Sequence, residues 1–424
     1  MNETDRTHIC KIGDIDWSGA DAPEPSDRVC GSKLVEPWLS AIIQAEHVSL
    51  LVGNGLTTAA VTLAGGTPVP MDGGLGLGAD LGDAIEREAA AEATRTGRGT
   101  PNIEDRLRVA LAVENGLRVL NDARAQTVSD AITRGLTELC AAVLRAEEAL
   151  NAIPATGMDR YTPAGYLVAF ILAFASRTPT RDRLHIFTTN YDRLIEDACD
   201  RAGLRILDRF VGSLRPRFRS SRLDVDIHYN PPGIRGEPRF LEGVARLTKM
   251  HGSIDWQAAG GEVVRQHVSF GDPSAASRVA TDSLLVYPQP SKDVETGYFP
   301  YADLFRDFSA ALCRPNSVLV TYGYGFGDDH INRVLRDMLT LASTHLVVIS
   351  WDHAEGRIQR FIEQCQAGPQ VSLLIGSHFG DLRTLVDSYL PRPSIDDVTW
   401  RRAHLLQGRA IPPASTDGRD VDTQ

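Results

Sequence analysis

Ile186-Phe-Thr-Thr-Asn-Tyr-Asp192 ends an apolar run in a short polar turn, and the residues on either side of that turn decide the fold. Leu184 to Phe187 reads as a short buried strand, and Leu194, Ile195, Ala198 and Cys199 recur with helical spacing straight after it. A strand feeding a helix through a polar turn is the unit of an α/β protein. In open doubly wound sheets the ligand crevice lies at the carboxyl ends of the strands, which is where Thr189, Asn190 and Asp192 fall. Structural readings compete at two of these positions: Asp192 suits a helix N-cap, and Asn190 is a common turn residue.

The unit recurs along the chain. His47 to Val52 runs into Gly53-Asn54-Gly55 and a helix start containing Thr57, where glycines let backbone approach a pyrophosphate and free N–H groups face it. The full G-x-G-x-x-G fingerprint is missing, so a plain tight turn explains this stretch equally well. Ala245 to Met250 leads into a polar turn, His251-Gly252-Ser253-Ile254-Asp255-Trp256, and brings in a side chain that changes charge near neutral pH. Ser317 to Val320 opens into Gly323-Tyr324-Gly325-Phe326-Gly327, after which Asp328 or Asp329 can cap a helix whose Ile331, Val334, Leu335 and Met338 face inward. His345 to Ser350 and Val371 to Ile375 are the last strands. Their alternation with helices predicts a Rossmann-like α/β fold with a mainly parallel sheet. Ser350 to Asp352 are the candidates for adenine recognition.

Residues 1–32 read as a flexible arm, 33–390 as the main domain with a helical insertion at about 83–151, and 391–424 as a loose tail. The insertion carries one apolar face through Ile132, Leu136, Leu139 and Val143. Seven glycines with Pro68 and Pro70 between Gly65 and Gly82 predict either a closing flap or an exposed insertion. Thr162-Pro163 starts a helix that is apolar nearly all round from Tyr166 to Phe174 and therefore buried. Arg215, Arg217, Arg219 and Arg222 form a basic cluster, read as a solvated loop or as an anion or partner contact.

Bulk composition narrows the function classes. A chain of 424 residues with 42% hydrophobic and 23% charged residues is ordinary for a globular protein, and its net charge of −11 argues against a broad nucleic-acid footprint. The six cysteines contain no C-x-x-C pair, so neither a zinc ribbon nor a disulfide framework is expected, and no metal. A reducing cytoplasm fits this pattern. No signal peptide or membrane-spanning run is evident.

In order and spacing, GNG at 53–55, TTNYD at 188–192, HGSIDW at 251–256, YPQPSK at 287–292 and GYGFGDDHIN at 323–332 resemble the successive motifs of bacterial sirtuin-like proteins, the branch associated with NAD hydrolysis in antiphage defence. The likeness spans roughly residues 45 to 355. It implies that Asn190 and His251 are the catalytic pair, and that Gly53, Asn54, Gly55, Thr57, Thr189, Gly323, Tyr324, Gly325 and Phe326 lie along the dinucleotide, with Asp192 near its nicotinamide end. It further implies NAD as substrate, a homo-oligomer, and a HerA-like ATPase as a possible partner. The GAG turn, the Gln before the Asn and the zinc-binding cysteines of protein deacylases are absent, which weighs against peptide deacylation. A deacylase and a non-catalytic NAD- or ADP-ribose-binding module are the alternative functions.

Overall fold

The computed structural model describes residues 8–13, 15–18, 28–95, 99–151, 161–177, 181–222, 225–229, 239–285 and 299–392. Its strands are β1 (Ile9–Ile12), β2 (Ile15–Ser18), β3 (His47–Val52), β4 (His185–Thr188), β5 (Arg205–Leu207), β6 (Phe210–Val211), β7 (Arg217–Phe218), β8 (His228–Tyr229), β9 (Arg239–Phe240), β10 (Val244–Lys249), β11 (Gly252–Ala259), β12 (Glu262–Arg265), β13 (Ser283–Leu285), β14 (Ser317–Tyr322), β15 (His345–Ser350) and β16 (Val371–Ile375). A nine-stranded sheet runs in the order β2-β1-β16-β15-β14-β3-β4-β10-β5. From β16 to β5 every neighbouring pair is parallel. The expected α/β architecture with a mainly parallel sheet is therefore present.

Side chains alternate across this sheet as the pleat requires, and both faces are covered. Val48, Leu50, Val52, Ile186, Val320, Tyr322 and Ile349 share one core with the helices Asn54–Leu63, Pro163–Ala175 and Leu194–Ala202. Leu51, Phe187, Leu319 and Val348 point the other way, onto Phe308 of the helix Tyr301–Leu312 and Ile331 and Leu335 of the helix Asp329–Leu339. The Pro163–Ala175 helix starts as its sequence predicts: Thr162 accepts a hydrogen bond from the Gly165 N–H at 3.0 Å, and Phe170 packs on Tyr322 with ring centres 5.0 Å apart.

Three helices, Ala79–Arg95, Ile103–Val119 and Arg124–Asn151, lie between the first helix after β3 and the Pro163–Ala175 helix. The glycine-rich stretch before them is partly exposed but tied down at several points. Val69 and Leu75 are buried, the Ile103 N–H donates to the Met71 carbonyl at 2.6 Å, and Arg106 reaches the Asp72 carbonyl at 3.1 Å. These bonds anchor the loop to the start of the Ile103–Val119 helix.

Two other expectations need correction. Within residues 1–32, read as a flexible arm, β1 and β2 form a hairpin whose Cys10 pairs with Leu374 of β16. Cys10 and Ile12 are buried there, and the hairpin covers an edge that β16 would otherwise leave unpaired. The HGSIDW stretch is mostly strand: only Met250 and His251 make the turn, and β11 begins at Gly252. It enters a five-stranded sheet, β13-β11-β12-β7-β6, where Trp256 packs against Phe210 at 5.1 Å. YPQPSK at 287–292, and the tail beyond Arg392, lie outside the described residues.

Candidate active site

Register brings the polar turns together. Val52 pairs with Thr188 and with Tyr322, and Thr188 pairs with Lys249, so β14, β3, β4 and β10 end level with one another. Between β3 and β14 the chain direction of winding reverses. The helix after β3 packs on one face and the helix after β14 on the other, which opens a crevice at the switch point.

The floor of that crevice is backbone against backbone. The Gly53 N–H donates to the Tyr322 carbonyl at 3.1 Å and the Gly55 N–H to the Gly323 carbonyl at 3.0 Å. A Cβ on Gly55 would sit 2.5 Å from the Gly323 Cα, and Gly323 itself adopts φ +60°. No side chain fits between these turns, so the glycines are demanded by the crossing of two chains.

Above the crossing is a cavity of about 270 Å³. Gly53, Asn54, Gly323, Tyr324, Gly325, Gly327 and Asp328 line one wall, and Thr189, Asn190, Tyr191, Asp192 and His251 another. Val69, Met71, Asn102, Glu104, Leu139 and Val143 come from the glycine-rich loop and the inserted helices, and Arg357 joins the wall beside Gly325. Asn190 and His251, far apart in sequence, thus share one cavity. Gly55, Thr57 and Phe326 stand behind the wall. Gly55 is in the crossing, Thr57 is buried beneath Asn190, and Phe326 turns away at φ +52° to pack on Phe361. Ser350, Trp351 and Asp352 are not on this wall.

Asn190 is held by a closed network. Its Nδ2 donates to the Gly53 carbonyl at 3.0 Å and to Thr57 Oγ1 at 2.9 Å. Thr57 Oγ1 in turn donates to Asp192 Oδ2 at 2.6 Å, and Asp192 Oδ1 accepts the Leu194 N–H at 3.2 Å. Both amide hydrogens are committed to fixed acceptors, which sets the flip of the amide and leaves Oδ1 as the atom Asn190 presents to the cavity. Asp192 therefore serves the helix start as its sequence position suggests, although Arg193 occupies the N-cap position itself. Its carboxylate also orders Asn190 through Thr57.

His251 faces Asp328 across the cavity, Nε2 to Oδ1 at 4.0 Å. Asp328 is the N-cap residue of the Asp329–Leu339 helix, yet its side chain makes no capping bond there. Beneath these groups Lys249 is buried: its Nζ donates to the Asp192 carbonyl and lies 3.0 Å from Glu196 Oε1. Burial pushes the Glu196 carboxyl up, while Lys249 draws it back down. The Tyr191 hydroxyl donates to Glu104 Oε1 at 2.8 Å, and burial first, then the Glu104 charge, raises its pKa well above the usual tyrosine value.

Sequence reading missed the wall supplied from outside the strand ends. Asn102 and Glu104 sit at the start of an inserted helix, where Asn102 forms a capping box with Asp105. The N-x-x-D spacing marks a helix start, but says nothing of which way Glu104 faces. Arg357 binds the Gly325 carbonyl through Nε at 2.6 Å and follows the Trp351-Asp352 turn at a distance that no strand-end motif reaches. Of the basic cluster, Arg217 and Arg219 both pair with Glu262, at 2.7 and 3.0 Å, so they balance a neighbouring carboxylate.

These features define a doubly wound α/β protein with its cavity at the switch point, the class of site that holds nucleotides. Residues 184–369 match the family model described as a SIR2-like domain, a span that takes in β4 with its turn, His251 and the second glycine turn. The match supports a sirtuin-like assignment and an activity that uses NAD. No curated protein matches the chain. Among the described residues no helix is long and apolar enough to cross a membrane, and no group of three or more His, Cys, Asp or Glu side chains is arranged to hold a metal ion.

Proposed function

We propose that the chain hydrolyses NAD to nicotinamide and ADP-ribose. The observation that carries this reading is the shared cavity, in which a fixed Asn190 carbonyl and the His251 imidazole face glycine turns open to a pyrophosphate. In the reaction the C1′–N1 bond breaks, and its electron pair leaves with nicotinamide and neutralises the pyridinium. The positive charge passes to the ribose C1′–O4′ unit. A water oxygen then bonds to C1′ and gives its proton to His251, while Asn190 Oδ1 accepts a hydrogen bond from that water or from a ribose hydroxyl.

General acid–base help of this kind contributes about 10²–10⁴-fold. Asn190→Ala and His251→Ala should each lower nicotinamide release from NAD by at least about tenfold without changing the thermal melt. Undiminished release from either folded variant refutes the assignment. Consumption of NAD only when an acylated peptide is added would point to a deacylase instead.

We further propose that the enzyme acts in the cytoplasm as the effector of an antiphage system, as a homo-oligomer and with a HerA-like ATPase. Light scattering on the chain alone and with the neighbouring gene product tests the assembly. A monomer in both samples rules it out.

A further inference from the structure

We propose that Glu104 is a catalytic carboxylate of this site, placed to face the positive charge that develops on the nicotinamide ribose, with Tyr191 as its positioning residue. The proposal rests on the hydrolysis reading for its chemistry, but it starts from an electrostatic fact about the cavity. Glu104 lines the cavity that also holds Asn190 and His251, and among the described residues no Lys or Arg pairs with it. The other glutamates of the inserted helices without such a pair, Glu88, Glu138 and Glu148, are exposed, whereas Glu104 is half-buried. Glu86 is paired with Arg106, Glu92 with Arg108, Glu114 with Arg118 and Glu147 with Arg193.

A helix-start role does not account for the residue. Asp105, one position on, already closes the capping box with Asn102 and meets Arg108 at 3.5 Å. Glu104 instead turns toward the cavity and accepts the Tyr191 hydroxyl at 2.8 Å. Tyr191 lies between Asn190 and Asp192, and its carbonyl accepts the Ile254 N–H at 3.0 Å, so its backbone is as fixed as the turn itself. Its buried hydroxyl remains protonated, and therefore a donor, throughout the neutral range. The bond orients one carboxylate oxygen and leaves the other free. A fixed carboxylate with no Lys or Arg paired to it among the described residues, in a cavity meant for a substrate whose ribose turns cationic as the glycosidic bond breaks, stabilises that charge more in the transition state than in the ground state. Here the electron pair leaves on nicotinamide, the cation lies on C1′–O4′, and Glu104 neither gains nor loses a proton.

The test uses the full chain and three variants, Glu104→Gln, Tyr191→Phe and Asn190→Ala, each checked by thermal melting. Glutamine keeps an oxygen acceptor for Tyr191 and removes only the charge. Glu104→Gln should lower kcat for NAD by about 10²-fold or more with KM within about threefold, and Tyr191→Phe should lower kcat by roughly three- to tenfold. A second readout needs no turnover: the affinity for an ADP-ribose analogue whose terminal ribose is a protonated pyrrolidine ring, compared with ADP-ribose itself. Wild type and Asn190→Ala should prefer the cationic analogue by at least about tenfold, and Glu104→Gln should lose that preference. A preference that survives in Glu104→Gln, or is missing from wild type, overturns the proposal. Loss of the preference in Glu104→Gln, with no nicotinamide released by wild type, keeps the charge role and refutes hydrolysis.

Discussion

Replacing Thr57 by valine isolates the network that fixes Asn190. The residue is 1% exposed, and valine fills nearly the same space, so the change is polar and leaves little cavity. Thr57 Oγ1 donates to the Asp192 carboxylate at 2.6 Å and accepts from Asn190 Nδ2 at 2.9 Å. A bond to a charged group is worth about 1.5–3 kcal/mol and a neutral one about 1, so Thr57→Val should lose about 2.5–4 kcal/mol. Asp192 and Asn190 each keep one further bond, to the Leu194 N–H and the Gly53 carbonyl, which places the loss short of complete disruption. The assay is a urea midpoint alongside nicotinamide release, with Thr57→Ser restoring the hydroxyl. In an Asn190→Ala background the valine substitution should cost about 1 kcal/mol less, because one of its two bonds is already absent. A loss below about 0.5 kcal/mol, or strict additivity of the two substitutions in both stability and turnover, refutes the idea that Thr57 orders Asn190.

Gly323→Ala must place a Cβ 2.5 Å from the Gly55 Cα in a backbone at φ +60°, so it should cost about 1–3 kcal/mol and weaken NAD binding, read by urea midpoint and titration calorimetry. Burial, followed by the Arg246 charge, lowers the His185 pKa to about 3. Below about pH 6.5 the unfolded chain binds a proton that the folded chain refuses, so His185 makes stability fall by about 1.4 kcal/mol per unit as pH drops toward 3 and has no effect above neutrality. His185→Gln should flatten that slope in urea titrations between about pH 4 and 6, and an unchanged slope refutes the assignment. Burial pushes the Cys10 and Cys140 thiols up to about 12, so both should resist a thiol reagent in the native chain and react on unfolding, as read by peptide mass mapping.

The sequence exposed those parts of the fold in which a local pattern and a global role coincide. Apolar runs ending at Thr188, Val52 and Tyr322 had to be strands buried on both faces, and the polar residues after them had to lie at one edge of a parallel sheet. Asn190, His251, Gly53 and Gly323 were therefore legible. The hairpin β1–β2 was hidden because four-residue strands among Asp and Gly carry too short an alternation to tell from coil. The strand beginning at Gly252 was hidden because its polar residues, Ser253 and Asp255, are buried in the second sheet. Glu104 was hidden for a different reason: helical periodicity identifies the face that packs, and Glu104 sits at the margin of that face, where only tertiary placement brings it to the cavity.

That margin links the insertion to the chemistry. Strand ends alone supply an amide, an imidazole and glycine turns, a half-shell open to water on the side away from the sheet. The inserted helices and the loop bonded to them at Met71 close the other half with Val69, Leu139 and Val143 and contribute a carboxylate. An apolar roof raises the strength of every charge beneath it, because in the proposed reaction field lines between Glu104 and a cationic ribose would pass through protein instead of solvent. For the hydrolysis proposed above, this implies a division of labour that does not depend on sequence order: the sheet edge would fix the groups that handle water and ribose hydroxyls, and the insertion would decide how well the cation is tolerated. Substitutions in the roof, such as Leu139→Ala, should consequently act on kcat through Glu104. Their effect should shrink once Glu104 is glutamine, and equal losses in both backgrounds would show that roof and carboxylate act separately.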